Sequence, residues 1–234
     1  MAVTFIGDVH GWARRLDGVL AQAEGHLVFL GDLTDRGPDT PGVIARVRRL
    51  CEEGRACCLM GNHEYALLRG LGAPSIGLEP DPVWFELWRD RHGGSAVLTS
   101  YGVREAAGLR LSLGAANLAW LAALPWVLSG QADGAAWIAV HAGMRPKVPL
   151  HQQLAQLADP WRQLCEHPDH LYDKLHVRRV PDDLPSGTVL VSGHLPLPEV
   201  LVSPQRILCD TSGGMPGRPL SGVVWPSGRV ISSR

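Results

Sequence analysis

Apolar runs and polar breaks alternate in a fixed order along the first 64 residues. Ala2–Gly7 is apolar, and Asp8-Val9-His10-Gly11 follows as a polar break. Trp12–Ala23 then carries Leu16, Val19, Leu20 and Ala23 at helical spacing. Leu27–Gly31 is a second apolar run, with a polar stretch from Asp32 to Asp39 behind it. Thr40 and Pro41 open another helix, whose buried stripe is Val43, Ile44, Val47 and Leu50. Ala56–Met60 is a third run and leads into the polar loop Gly61-Asn62-His63-Glu64. Three strand–loop–helix units in succession predict a parallel sheet, because parallel neighbours need a crossover. Ligands of such sheets sit beyond the carboxyl ends of the strands, where all three polar breaks fall.

The pattern changes between about 65 and 130. Pro82–Arg91, Ser95–Tyr101 and Ala115–Leu124 read as helices separated by Gly and Pro, with Trp84, Phe85, Trp88 and Trp120 as core side chains. This stretch is expected to be a helical insertion in a single domain spanning residues 1–234. Strand character returns at Trp137–Val140, which ends in His141-Ala142-Gly143, and at Thr188–Ser192, which ends in Gly193-His194. Residues from Leu150 to about Leu175 are mostly helical in pattern. Val200–Val202, Arg206–Cys209, Gly222–Trp225 and Val230–Ile231 read as a short antiparallel meander closing a second sheet. The expected fold class is α/β, a two-sheet βαβ sandwich flanked by helices.

Composition narrows the function. With 45% hydrophobic and 19% charged residues the chain has a core to bury, and whole-chain disorder is excluded. A formal net charge of −1 disfavours a protein that coats nucleic acid duplexes or a polybasic membrane binder. Lys147 and Lys174 are the only lysines among 22 basic residues, so the Arg-rich run Arg46, Arg48, Arg49 reads as a solvated helix face. Five cysteines without a CxxC argue against a disulfide framework and a zinc ribbon. No apolar run reaches the length of a membrane span and no leader pattern is visible, which makes a cytoplasmic location the expectation. The oligomeric state is left open.

The polar residues at the strand ends are Asp8, His10, Asp32, Asp35, Arg36, Asn62, His63, His141 and His194. Each alone is weak; their shared topological position is the signal. Asp8 and His10 are two apart, so on an extended backbone both side chains point to one side and can grip one ion. Asp32 offers two oxygens and could bridge to a second ion. Asn62 supplies a neutral oxygen, and His141 and His194 supply imidazole nitrogens. Mixed N/O ligation without thiolate suits Mn, Fe, Zn or Ni rather than a soft metal, and six ligands shared between two divalent ions leave open positions for water and substrate. His26, His92, His151, His167, His170 and His176 have no motif around them and read as ordinary.

Gly7-Asp8-Val9-His10-Gly11, Gly31-Asp32-Leu33-Thr34-Asp35-Arg36-Gly37, Gly61-Asn62-His63-Glu64, His141-Ala142-Gly143 and Gly193-His194 together resemble the five motifs of the calcineurin-like metallophosphoesterases. Asp35-Arg36-Gly37 with Asn62-His63-Glu64 resembles the branch of serine/threonine protein phosphatases and symmetrical diadenosine tetraphosphatases. The resemblance covers about residues 2–64 and 137–232. It implies that Asp8, His10 and Asp32 hold a first metal, and that Asn62, His141 and His194 complete a second with Asp32 bridging. It further implies a water or hydroxide between the ions as nucleophile. His63 would be the general acid, held and raised in pKa by Asp35, and Arg36 would clamp the phosphoryl oxygens. Leu195 stands where the family usually shows Thr. A second phosphate-binding cation could be Arg162, Lys174 or Arg178. Glu64 is read as a helix cap, and Asp210 as a turn residue.

The leading expectation is a serine/threonine protein phosphatase-like phosphomonoesterase acting on a phosphorylated protein. The alternative is a symmetrical dinucleoside polyphosphate hydrolase acting on a small nucleotide substrate. A non-catalytic scaffold is disfavoured, since the ligands and the His63–Asp35 pair are all retained. A Rossmann-type binder is disfavoured because no Gly-x-Gly-x-x-Gly follows the first run.

Overall fold

Strand β1 (Val3–Ile6) is buried at every position, which is why it reads as an unbroken apolar run. Val3 and Phe5 share a core with Val28, Leu59, Val189 and Val191, between two sheets. Ile6 belongs instead to the larger cluster beneath the helices. The computed structural model describes residues 1–159, 161 and 168–233. β2 (His26–Phe29) and β3 (Ala56–Cys58) run parallel to β1 in the order β1-β2-β3. Helices α1 (Ala13–Leu20) and α2 (Thr40–Glu52) make the crossovers. Asp39 caps α2 by accepting from the Gly42 N–H at 2.8 Å, with Pro41 in the first turn.

Between β3 and the second sheet lie α3 (Asn62–Leu71), α4 (Pro82–Arg91), α5 (Ser95–Ser100), α6 (Ala106–Leu113) and α7 (Ala115–Ala122). The third polar break is therefore not a loop. Asn62, His63 and Glu64 form the first turn of α3, because Gly61 takes an extended N-cap conformation and the Glu64 carboxylate reaches back to its N–H at 3.2 Å. Trp84, Phe85 and Trp88 are buried as expected, and Trp120 packs half-buried against the same core.

The second sheet has the order β4-β5-β6-β8-β7. β4 (Val127–Ala132) and β5 (Ala135–Val140) form a hairpin that turns at Asp133-Gly134, so the helical stretch ends before residue 127. β6 (Thr188–Ser192) runs parallel to β5; β8 (Arg206–Leu208) lies parallel to β6, and β7 (Leu201–Val202) pairs antiparallel with β8. The four C-terminal runs do not make one meander. β9 (Ser221–Trp225) and β10 (Arg229–Ser232) join the first sheet instead, with β9 antiparallel to β1. Short strands of similar pattern do not declare which sheet they complete; Val223 decides it by packing into the inter-sheet core. Phe5 and Trp137 bridge the two sheets as an edge-to-face pair at 5.4 Å.

Helices α8 (Leu150–Ala158) and α9 (Asp169–Tyr172) account for the helical pattern after residue 150. Cys51, Cys57, Cys58 and Cys209 are free thiols; Cys165 lies outside the described residues. Among the described residues no helix is long and apolar enough to cross a membrane.

Candidate active site

The carboxyl ends of β1, β2, β3, β5 and β6 meet at one place, and they bring all nine sequence-identified residues with them. Asp32 sits at the centre. Its Oδ2 lies 3.7 Å from Nε2 of His10 and 3.7 Å from Nε2 of His63, and its Oδ1 lies 3.4 Å from Nε2 of His141. Asn62 Oδ1 is 3.0 Å from His141 Nε2 and 3.1 Å from His194 Nδ1. Two groups of potential metal ligands share Asp32: His10, Asp32 and His63 on one side, Asp32, His141 and His194 on the other. Asp8 joins the cluster differently from the other carboxylate, since both its oxygens accept from the His194 backbone N–H, at 3.1 and 3.0 Å.

The imidazoles are oriented for ligation. His10 Nδ1 bonds the Thr34 carbonyl at 2.9 Å and His141 Nδ1 bonds the Leu30 carbonyl at 2.6 Å, which turns both Nε2 atoms toward Asp32. Close approach fixes two glycines: a Cβ on Gly61 would lie 2.2 Å from Asp32 Oδ1, and one on Gly193 would lie 2.1 Å from Asp8 Oδ1. His10, Asp32, Asp35, Arg36 and His194 all adopt positive φ, between 47° and 73°. Such left-handed backbone in non-glycine residues persists only where the surroundings hold it.

Glu64 supplies much of that hold. It is fully buried, and its carboxylate accepts from the backbone N–H groups of Asp32, Leu33 and Thr34 at 2.8, 2.9 and 3.0 Å and from the Thr34 hydroxyl at 3.0 Å. It caps α3 as the sequence suggests, and it also ties α3 to the loop that carries Asp32. No sequence signal announced the second task, because its partners are some 30 residues away.

Buried charge is the second property of the site. Burial, then Asp210 and Asp32, push the Asp8 carboxyl well above its ordinary range. Burial with Asp32 raises Glu64 to about 7 and Asp210 to about 6, and burial with Glu64 raises Asp35 well above the carboxylate range. Asp32 behaves oppositely: burial alone would raise it, but His141, His63 and His10 hold it well below. Burial lowers His10 to about 4 and His194 to about 3. His141 resists burial and rises to about 10 because Asp32 and Asp8 face it. The donor set is carboxylate, amide oxygen and imidazole, crowded and short of positive charge. Divalent cations fit it.

His63 Nδ1–H donates to Asp35 Oδ2 at 2.6 Å. The expected rise in its pKa is not found: burial, with His10 and Arg36 nearby, lowers His63 well below its ordinary value. Arg36 spans two imidazoles, with Nη1 at 3.1 Å from His10 Nε2 and Nη2 at 2.9 Å from His63 Nε2, and Nη1 donates to the Gly213 carbonyl at 2.7 Å. Asp210 makes the turn expected of it, accepting from Ser212 and Gly213 N–H groups at 3.0 and 2.8 Å.

A cleft of about 230 Å³ opens above Asp32 and is walled by Arg36, His63, Arg91, His92, Tyr172 and Lys174, among others. Of the three candidates for a second phosphate-binding cation, Lys174 lines this cleft. Arg178 is exposed outside its lining, and Arg162 lies outside the described residues. Arg91 and His92 were not singled out by sequence, since the last turn of α4 reads as an ordinary basic helix end. Trp88, expected in the core, is fully buried and also donates its indole N–H to Asp35.

A family model described as calcineurin-like phosphoesterase matches residues 1–214. Over 65 residues the chain is 46% identical to the symmetrical bis(5'-nucleosyl)-tetraphosphatase of Ralstonia nicotianae, covering 27% of this chain and 23% of that protein. Over 82 residues it is 37% identical to the asymmetrical bis(5'-nucleosyl)-tetraphosphatase PrpE of Oceanobacillus iheyensis, covering 30% of this chain and 33% of that protein. The matches thus span a quarter to a third of those relatives. A solved structure described as a proposed diadenosine tetraphosphatase superposes with a TM-score of 0.60 at 22% identity, covering 99% of this chain and 92% of that one. At that identity the likeness is one of fold.

Proposed function

The chain belongs to the calcineurin-like phosphoesterase family, and on that premise we propose that it is a metal-dependent phosphoric ester hydrolase whose substrate carries several linked phosphates, as a dinucleoside polyphosphate does. The observation that carries this reading is the cation content of the cleft. Lys174 and Arg91 line the same walls as Arg36, and one phosphoryl group does not need three cations. Both curated relatives are named for dinucleoside tetraphosphates, which supports the same substrate class.

In this reading Asp8, His10 and Asp32 would hold one divalent cation, and Asn62, His141 and His194, together with Asp32, would hold another. Manganese suits the mixed oxygen and imidazole donors. When bound, such a pair of ions acidifies a water for attack and neutralises phosphoryl charge. The protein's own groups do the rest. Arg36 leaves the two imidazoles and takes the phosphoryl oxygens through its planar fork. An anion in place of a guanidinium beside His63 raises that ring's affinity for a proton at Nε2, while Asp35 keeps Nδ1 fixed. His63 then gives the Nε2 proton to the leaving oxygen. Lys174 and Arg91 hold the phosphates that are not attacked.

Parallel assays of the manganese-loaded protein on diadenosine tetraphosphate and on a phosphoserine peptide test this. The expected kcat/KM is at least about tenfold higher on the dinucleotide, the scale that one or two extra charged contacts supply. Preference for the peptide would reassign the protein to phosphomonoesters. Inactivity on both, with two ions bound, would remove the hydrolase chemistry assigned to these residues.

A further inference from the structure

We propose that Trp88, in α4 and outside every motif of the sequence, is a positioning residue of the active site: its indole N–H fixes the Asp35 carboxylate so that Asp35 presents His63 to the cleft. The proposal rests on the assignment of His63 as general acid.

Asp35 is fully buried, and Asp39 rather than Asp35 caps α2. Its carboxylate meets His63 Nδ1 through Oδ2 at 2.6 Å, and the Trp88 Nε1–H forks to Oδ1 at 2.9 Å and Oδ2 at 3.0 Å. The terminal torsion of an aspartate is broad and roughly two-fold, so one contact through one oxygen does not set the plane of the group. A donor shared by both oxygens does. The backbone makes this more pressing, because Asp35 sits at φ 73° and Arg36 at φ 63°, where a residue stays only if its surroundings hold it.

The indole is itself closely packed. Trp88 has 0% exposure, lies 5.5 Å from the Phe85 ring, and is approached so closely by Gly94 that a Cβ there would fall 2.5 Å from the indole. The residues that follow Trp88 extend the same brace. The Gly93 carbonyl accepts from the Arg36 N–H at 3.2 Å, and the His92 ring meets the His63 ring edge-on at 5.1 Å. The end of α4 thus touches Asp35, Arg36 and His63, none of which it supplies.

Replacing a Trp that merely fills the core would lower stability and slow every substrate alike. A Trp that acts through Asp35 and His63 matters most where the leaving group most needs a proton. The test uses manganese-loaded protein, phenyl phosphate as the poor leaving group and 4-nitrophenyl phosphate as the good one. Trp88→Phe should lower kcat on phenyl phosphate about 10–100-fold, the scale of one lost bond to a charged group, with KM within about twofold. The loss should shrink on 4-nitrophenyl phosphate, and bound metal should be unchanged. In a His63→Ala background the Trp88→Phe change should have no further effect on kcat. If Trp88→Phe does not fold, benzothienylalanine at position 88 keeps the ring shape and removes only the donor. Equal losses on both esters, or losses that add in full to those of His63→Ala, would overturn the proposal while leaving the acid role of His63 intact. A His63→Ala protein as active as wild type on phenyl phosphate would overturn both.

Discussion

The three parallel strands of the first sheet have two ends, and the ends treat charge in opposite ways. At the amino ends lies a concavity of about 490 Å³, edged by Asp17, His26, Arg46, Arg49 and Arg55. Its charges are largely exposed and paired: Arg46 with Asp17 at 2.8 Å and Arg55 with Glu53 at 3.1 Å. At the carboxyl ends the cleft is only about 230 Å³, but beneath it Asp8, Asp32, Asp35, Glu64 and Asp210 are buried together. Five non-glycine residues with positive φ lie there as well; among the described residues the sixth, Asp133, is in the β4–β5 turn. Volume alone would choose the amino ends. Buried, mutually repelling charge on strained backbone marks the carboxyl end as the candidate site, because functional sites are where such cost gathers.

The contrast can be broken from either side. Asp32→Asn should be the severest change, lowering kcat on the order of 10³-fold, since it removes the charge shared by both ligand groups. Metal analysis of the same protein should show fewer than two ions per chain; full occupancy would remove Asp32 from its central place. His63→Ala should cost roughly 10²-fold or more in kcat on a poor leaving group while metal content stays normal. Glu64→Gln should destabilise the protein by about 2–3 kcal/mol, because an amide nitrogen then faces backbone N–H donors. Denaturant titration measures it, and an unchanged midpoint would show that the Asp32 loop does not depend on Glu64. Asp8→Asn in metal-free protein should raise the melting temperature by about 2–4 °C, as one of the repelling carboxylates is neutralised. At the other end Asp17→Ala should cost under about 1 kcal/mol, because the pair it breaks is exposed, and kcat should not change. A large loss of activity there would erase the distinction between the two ends.

The legible parts of the molecule were those with local causes. β1, β2 and β3 announced themselves because both their faces are covered, and Asp8, Asp32 and Asn62 followed because each lies just beyond such a strand. The two-sheet sandwich and the convergence of nine residues were readable on that basis. What escaped depended on partners far along the chain. Glu64 looked like a cap because its bonds to Asp32, Leu33 and Thr34 cross from one strand end to the next. Trp88 looked like core because its acceptor, Asp35, is 53 residues away. β4, with the sequence Val-Leu-Ser-Gly-Gln-Ala, lacks clean alternation and merged with the helices before it. Electrostatic sign was equally hidden: a carboxylate beside His63 suggested a raised pKa, and burial reversed it.

Strand β1 lies between β2, which begins at residue 26, and β9, which begins at residue 221. The loop bearing Asp8 and His10 is therefore seated on a strand whose second neighbour lies far along the chain from it. During folding this supporting strand keeps a bare edge until residues 221–225 pair with it. Assembly of the centre is thereby tied to a pairing between strands remote in sequence.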